Sequence, residues 1–141
     1  MKVVVDASVA LKWFLSDALL EDHTDTALAI FEAAVLGQIE LVQPVHFVAE
    51  VAAVLARIKP ADAPSDLLDL LAIERRTVES PQVYATAVAL ATQLNHHLFD
   101  TLYHALALET AGAVFVTADR RYFDKAQHLG QILWLPDFVV G

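Results

Sequence analysis

Residues 1–15 read MKVVVDASVALKWFL, and the way the apolar run Val3-Val4-Val5 stops at Asp6 decides how the chain is read. Three consecutive β-branched residues fit a short strand, and an unbroken apolar run fits one buried on both faces. A carboxylate placed between that strand and a second apolar stretch, Ala7 to Leu15, has two readings. It caps a helix, or it is one part of a site completed elsewhere in the chain.

Outward from Asp6 the pattern alternates. SVALKWFL predicts the start of a helix, and DTALAIFEAAVLG predicts a second with Gly37 just past its end. IELVQ reads as a weak strand. Pro44 stands where a helix begins, and VHFVAEVAAVLARI places Phe47, Val51, Val54, Leu55 and Ile58 on one stripe until Lys59-Pro60 ends it. Asp62 to Ile73 reads as a further helix and RTVE as the weakest strand. VYATAVALATQLN and FDTLYHALALETA predict two helices split around Asn95-His96-His97. AVFV is a strand entered through Gly112, DRRYFDKAQHLG a short helix ended by Gly130, and QILWL the last strand. Alternating strands and helices with short connections predict an α/β fold of three layers, α/β/α, around a mostly parallel sheet. No repeat or linker interrupts it, so residues 1–141 are expected to form one domain.

Composition narrows the classes. The chain is 57% hydrophobic with a mean hydropathy of +0.49, high enough to expect some apolar surface to face a partner. No membrane span explains the excess, because the longest uncharged stretch, Ser80 to Phe99, is diluted by Gln82, Gln93, Asn95, His96 and His97. Asp6 and Lys12 interrupt the N-terminal apolar run, which therefore does not read as a signal peptide. The absence of cysteine excludes disulfides, thiolate metal sites and a Cys nucleophile, and permits a cytoplasmic setting. A net charge of −9 argues against broad attraction to nucleic acid.

The acids carry the chemistry. Asp6 follows the first strand, and Asp119 follows AVFV across Thr117-Ala118. Asp100 opens a mostly apolar helix, and Glu50 is the sole charged residue between Glu40 and Arg57. Taken singly, the three aspartates are explained as helix N-terminal residues. Glu50, bordered by Phe47 and Val54, needs a cation, either a neighbouring Arg or a metal. Taken together, converging carboxylates repel unless neutralised, and hard divalent cations are the usual neutraliser. The residues alone thus point to an oxygen-only Mg²⁺ or Mn²⁺ site.

The segments VVVDASVALKWF, HFVAEVAAVLAR, FDTLYHALALETAG and FVTADRRYFDKA, in this order, resemble the four acidic motifs of PIN-domain ribonucleases. Among these the chain most resembles VapC-type toxins of toxin–antitoxin pairs. The resemblance implies a metal site of Asp6, Glu50, Asp100 and Asp119, catalytic and ligating at once, and Mg²⁺- or Mn²⁺-dependent endonucleolytic cleavage of RNA. It implies supporting roles for Ser8 and Thr117 and a basic function for Lys12. It also implies inhibition by a cognate antitoxin.

Arg120, Arg121 and Lys125 form the only basic cluster, so a local rim completed by Lys12 is expected to grip phosphates although the net charge stays at −5 without the four acids. The alternative for these residues is a solvated helix face. His96-His97 reads as a polar loop and His104 as a packing residue. Asp124 is a candidate fifth acid, and Trp13, Phe14 and Trp134 read as core. Two rival classes remain open, a phospho-receiver-like domain and a catalytically silent Mg²⁺-binding regulatory domain. The apolar excess on the second helix and on Pro44–Ile58 predicts a groove or homodimer surface there, into which an inhibitor lays an apolar helix.

Overall fold

Val3, Val4 and Val5 are fully buried in β1 (Lys2–Val5), the middle strand of the sheet. The structure, a computed structural model, describes residues 1–15 and 22–141. After β1 come a four-residue helix α1 (Ala7–Ala10), α2 (Thr24–Val35), β2 (Glu40–Gln43), α3 (Phe47–Ile58), α4 (Ala63–Ala72) and β3 (Arg76–Thr77). The chain continues with α5 (Pro81–Leu94), α6 (Leu98–Leu108), β4 (Ala113–Thr117), α7 (Arg120–Ala126) and β5 (Ile132–Trp134). Every strand pairing is parallel, in the order β3-β2-β1-β4-β5, and helices cover the sheet as an α/β/α sandwich. The winding direction reverses between β1 and β4, so the crevice past their carboxyl ends is where a site belongs. The order also separates this chain from receiver domains, whose sheet runs 2-1-3-4-5.

Local chemistry explains where the elements begin and end. Ser80 accepts the Val83 N–H at 3.2 Å and Pro81 starts α5, while Asn95 closes it in the left-handed conformation at φ 48°. In α6 every residue from Thr101 to Ala107 is buried, so this helix is apolar all round because it is enclosed. That enclosure absorbs part of the high hydropathy within the fold itself. Gln43, also buried, takes the place of a strand partner: its amide accepts the Val5 N–H at 2.9 Å and donates to the Val5 carbonyl at 2.7 Å. The last backbone groups before Asp6 are thereby fixed.

Several expectations are corrected. SVALKWFL forms only α1 before tightening into a 3₁₀ turn over Leu11–Trp13. Helix α3 begins at Phe47, three residues after Pro44, and its buried stripe is Phe47, Val51 and Leu55, with Ile58 exposed. RTVE contributes two residues of strand. Trp13 and Phe14 are half-buried, packed against the core rather than within it. The apolar groove beside α2 is shared with α4, not with α3; Trp13, Phe14, Leu28, Phe31 and Val35 line it, with Asp66 and Asp69 on its edge. Among the described residues no helix is long and apolar enough to cross a membrane.

Candidate active site

Asp6 and Thr117 come together because β1 and β4 pair in register, Val5 opposite Val116. Each strand ends by turning into a helix, and each turn is capped by an aspartate: Asp6 accepts the Val9 N–H at 3.3 Å, and Asp119 the Tyr122 N–H at 3.1 Å. The cap and site readings are therefore compatible at both positions. Two hydroxyls cross-link the turns. Ser8 donates to one Asp6 oxygen and accepts the Ala118 N–H at 3.0 Å; Thr117 donates to the other at 2.5 Å and accepts the Asp119 N–H at 3.0 Å. Both oxygens of Asp6 are thus oriented by small hydroxyl side chains.

Asp100 reaches the same crevice from the first turn of α6. One oxygen each of Asp100 and Asp119 and one nitrogen of His96 lie within 4.8 Å of one another. These three line an open cavity of about 460 Å³ together with Asn95, His97 and Arg121. Glu50 stands apart from that trio: its carboxylate accepts the Tyr103 hydroxyl at 2.6 Å and lies 3.6 Å from His46 Nε2. No arginine pairs with it among the described residues, which leaves the metal as the remaining reading of its need for a cation, with a phenol and an imidazole beside it.

Electrostatics tie the four acids to one neighbourhood. Burial pushes the Tyr103 hydroxyl pKa upward, and the charges of Glu50, Asp6 and Asp100 add to the shift. Burial does the same to Tyr122, with Asp100, Asp6 and Asp119 contributing. Asp6 itself is raised from 3.8 to about 7, chiefly by burial. The bonds from Ser8, Thr117 and the Val9 N–H oppose that rise, and Asp119 adds to it. A divalent cation would reverse this pressure, and oxygen donors at this spacing suit Mg²⁺ or Mn²⁺. The donor set therefore fits a metal.

Other candidates separate. Arg121 lines the crevice, whereas Arg120 turns away. Its Nε lies 3.0 Å from Asp124 and its guanidinium 5.1 Å from the Trp134 ring centre. Asp124 is accordingly paired with Arg120 rather than added to the acid cluster. Lys12 is only 7% exposed and does not stand on an outer rim. His104 is buried behind the site; its Nδ1 accepts the Tyr122 hydroxyl at 2.9 Å and its Nε2 donates to the Gly130 carbonyl at 2.8 Å. The reading of the sequence missed His96, Tyr103 and Tyr122, and placed Lys125 on the phosphate rim rather than against His96. A usable signal was present for one of them, since His96 precedes Asp100 by four residues.

An acid-lined crevice at the switch point of a parallel α/β/α sheet is the place and the donor set for a divalent-metal site. The chain belongs to the PIN domain family, whose pattern it matches over residues 3–129. PIN domains are in general metal-dependent nucleases that act on RNA. The fold is similar to that of PAE2754 from Pyrobaculum aerophilum, with a TM-score of 0.56 and 23% identity. That match covers 89% of this chain and 87% of the other. No curated protein matches the chain.

Proposed function

We propose that this chain is a Mg²⁺- or Mn²⁺-dependent endoribonuclease, one domain over residues 1–141, with Asp6, Glu50, Asp100 and Asp119 as its working acids. The observation that carries this reading is the meeting of Asp100 and Asp119 in a crevice backed by Asp6. A cation held there supplies an activated water and neutralises charge on the leaving oxygen of a phosphodiester. The chain's own residues do the rest. Asp100 and Asp119 present oxygens from two different elements. Ser8 and Thr117 hold Asp6 against rotation, and Tyr103 holds Glu50. Arg121, exposed on the crevice wall, offers a cation to an incoming phosphate. Because the net charge is −9, grip on RNA is local to that wall.

The same reading extends to the chain's setting, as the toxin of a toxin–antitoxin pair in the cytoplasm, active as a homodimer. The apolar groove between α2 and α4 suits an apolar inhibitor helix. Of its two acids, Asp66 is paired with Lys59 at 2.9 Å, so Asp69, without such a pair among the described residues, is the one left to meet a basic residue. Labelled RNA incubated with the pure chain should be cut internally when Mg²⁺ or Mn²⁺ is present and left intact with EDTA. Cutting that persists in EDTA would remove the metal centre. A strictly monomeric mass in solution, with no binding to the product of an adjacent small gene, would remove the toxin setting and leave the nuclease.

A further inference from the structure

The geometry points to His96 as a positioning residue, fixed by Lys125 and acting through Asp100, rather than as a metal ligand. This rests on the metal-centre reading above and deepens it. His96 Nε2 lies 2.8 Å from Asp100 Oδ2, and His96 Nδ1 lies 3.2 Å from Lys125 Nζ. An ammonium only donates hydrogen bonds, so Nδ1 must accept, and in the neutral ring the remaining hydrogen sits on Nε2. Nε2–H then donates to Asp100. A nitrogen that carries a hydrogen has no lone pair for a cation. Were Nε2 to bind one, Nδ1 would carry the hydrogen and confront the Lys125 ammonium donor to donor.

The surroundings hold this arrangement rigid. The His96 side chain is 8% exposed, and its ring meets Tyr122 edge-on at 4.9 Å. Lys125 also donates to the Asn95 carbonyl at 3.1 Å, on the left-handed residue that ends α5. Lys125 belongs to α7, the helix that Asp119 caps, and Asp100 belongs to α6. The chain Lys125–His96–Asp100 therefore ties together the two helices that carry the crevice acids. The bond from the imidazole fixes the rotation of the Asp100 carboxylate in the crevice. Outer partners of this kind alter metal affinity by about 10–100-fold when removed.

The test uses the full chain in two measurements. In long-range ¹H–¹⁵N spectra of the wild type at alkaline pH, where an ordinary imidazole is neutral, the one ring hydrogen of His96 should sit on Nε2 and not Nδ1, both without metal and with saturating Mg²⁺. A protonated Nδ1 in either state overturns the proposal, and this arm needs no variant to fold. The second measurement is direct binding of Mg²⁺ and of Mn²⁺ to wild type and His96→Phe, with circular dichroism verifying the fold. The expected result is a loss of about 10–100-fold for both ions alike. Unchanged affinity overturns the proposal, as does a loss confined to Mn²⁺, which would mark the imidazole as a ligand. Failure of the wild type to bind either ion is a different result: it removes the metal centre itself.

Discussion

Two buried polar clusters share Tyr122 and behave in opposite ways. On the flank, the Tyr122 hydroxyl donates to His104, which donates to Gly130, and each polar atom of the imidazole has a partner. Beside the crevice, Asp6 also has a partner at each oxygen, yet burial, with a smaller part from the charge of Asp119, still raises its pKa to about 7. The first cluster is closed: it can be satisfied without anything from outside. The second is relieved only by a proton or a cation from outside. Satisfied buried polarity marks structure, and unrelieved buried charge marks a site.

The largest expected effect comes from removing the charge. Asp6→Asn, Asp100→Asn or Asp119→Asn should abolish RNA cleavage, which a gel assay with labelled RNA checks directly. In the metal-free protein Asp6→Asn should also raise stability. A carboxyl whose folded pKa lies above its unfolded one favours the folded state when protonated, so stability is lost as pH rises from 3.8 through about 7. At about 1.4 kcal/mol per unit, the gain above that range is bounded near 4 kcal/mol. It should vanish at acid pH. Thermal unfolding in EDTA at several pH values measures it, and a variant less stable than wild type at pH 8 would place Asp6 in the closed class.

The flank responds with the opposite sign. Burial lowers the His104 pKa, so the unfolded chain binds the proton more readily and stability falls as pH drops below the ordinary 6.5. In the metal-free wild type the Asp6 and His104 contributions therefore oppose each other between pH 3.8 and 6.5. His104→Leu leaves the Tyr122 hydroxyl and the Gly130 carbonyl without this partner and should cost on the order of 3 kcal/mol. It should flatten the acid limb while the remaining folded protein keeps its metal affinity.

Gln43→Met tests how far the crevice depends on the strand behind it. The substitution unpairs the Val5 N–H and carbonyl, which should cost about 2 kcal/mol in chemical denaturation. Asp6 follows directly, so metal affinity should drop with it, in contrast to the flank variant. Unchanged affinity would show that Ser8 and Thr117 suffice to place Asp6.

The central strands were legible because VVV and AVFV have no competing reading, and the sheet followed from their alternation with helices. Helix α1 was overestimated because local apolarity continues past Ala10 while the backbone tightens into a 3₁₀ turn. The acids were visible for the same reason as the strands: a charge isolated among apolar residues stands out. The pairing of His96 with Lys125 was not, since it spans 29 residues and depends on how α7 docks beside the end of α5. Lys12 misled for a related reason. A lysine in a short helical turn gives no sign of which side will face inward, and here it is buried.

The smallest expected effect separates two adjacent arginines. Arg121 lines the crevice and makes no ion pair among the described residues, whereas Arg120 is held by Asp124 and lies against Trp134. An arginine already paired gains little by exchanging one anion for another, and its removal also frees an acid that repels RNA. A cation free to meet phosphate releases counterions when it does so. Arg121→Ala should therefore lower the slope of log affinity against log salt by about 0.7 for single-stranded RNA, while Arg120→Ala leaves it nearly unchanged. Binding must be measured without cleavage, in an Asp119→Asn background, over a range of salt concentrations. Slopes lowered equally in the two variants would mean that RNA passes along the outer face of α7 instead of through the crevice. The acids would then lie off the path of the phosphate they are proposed to act on.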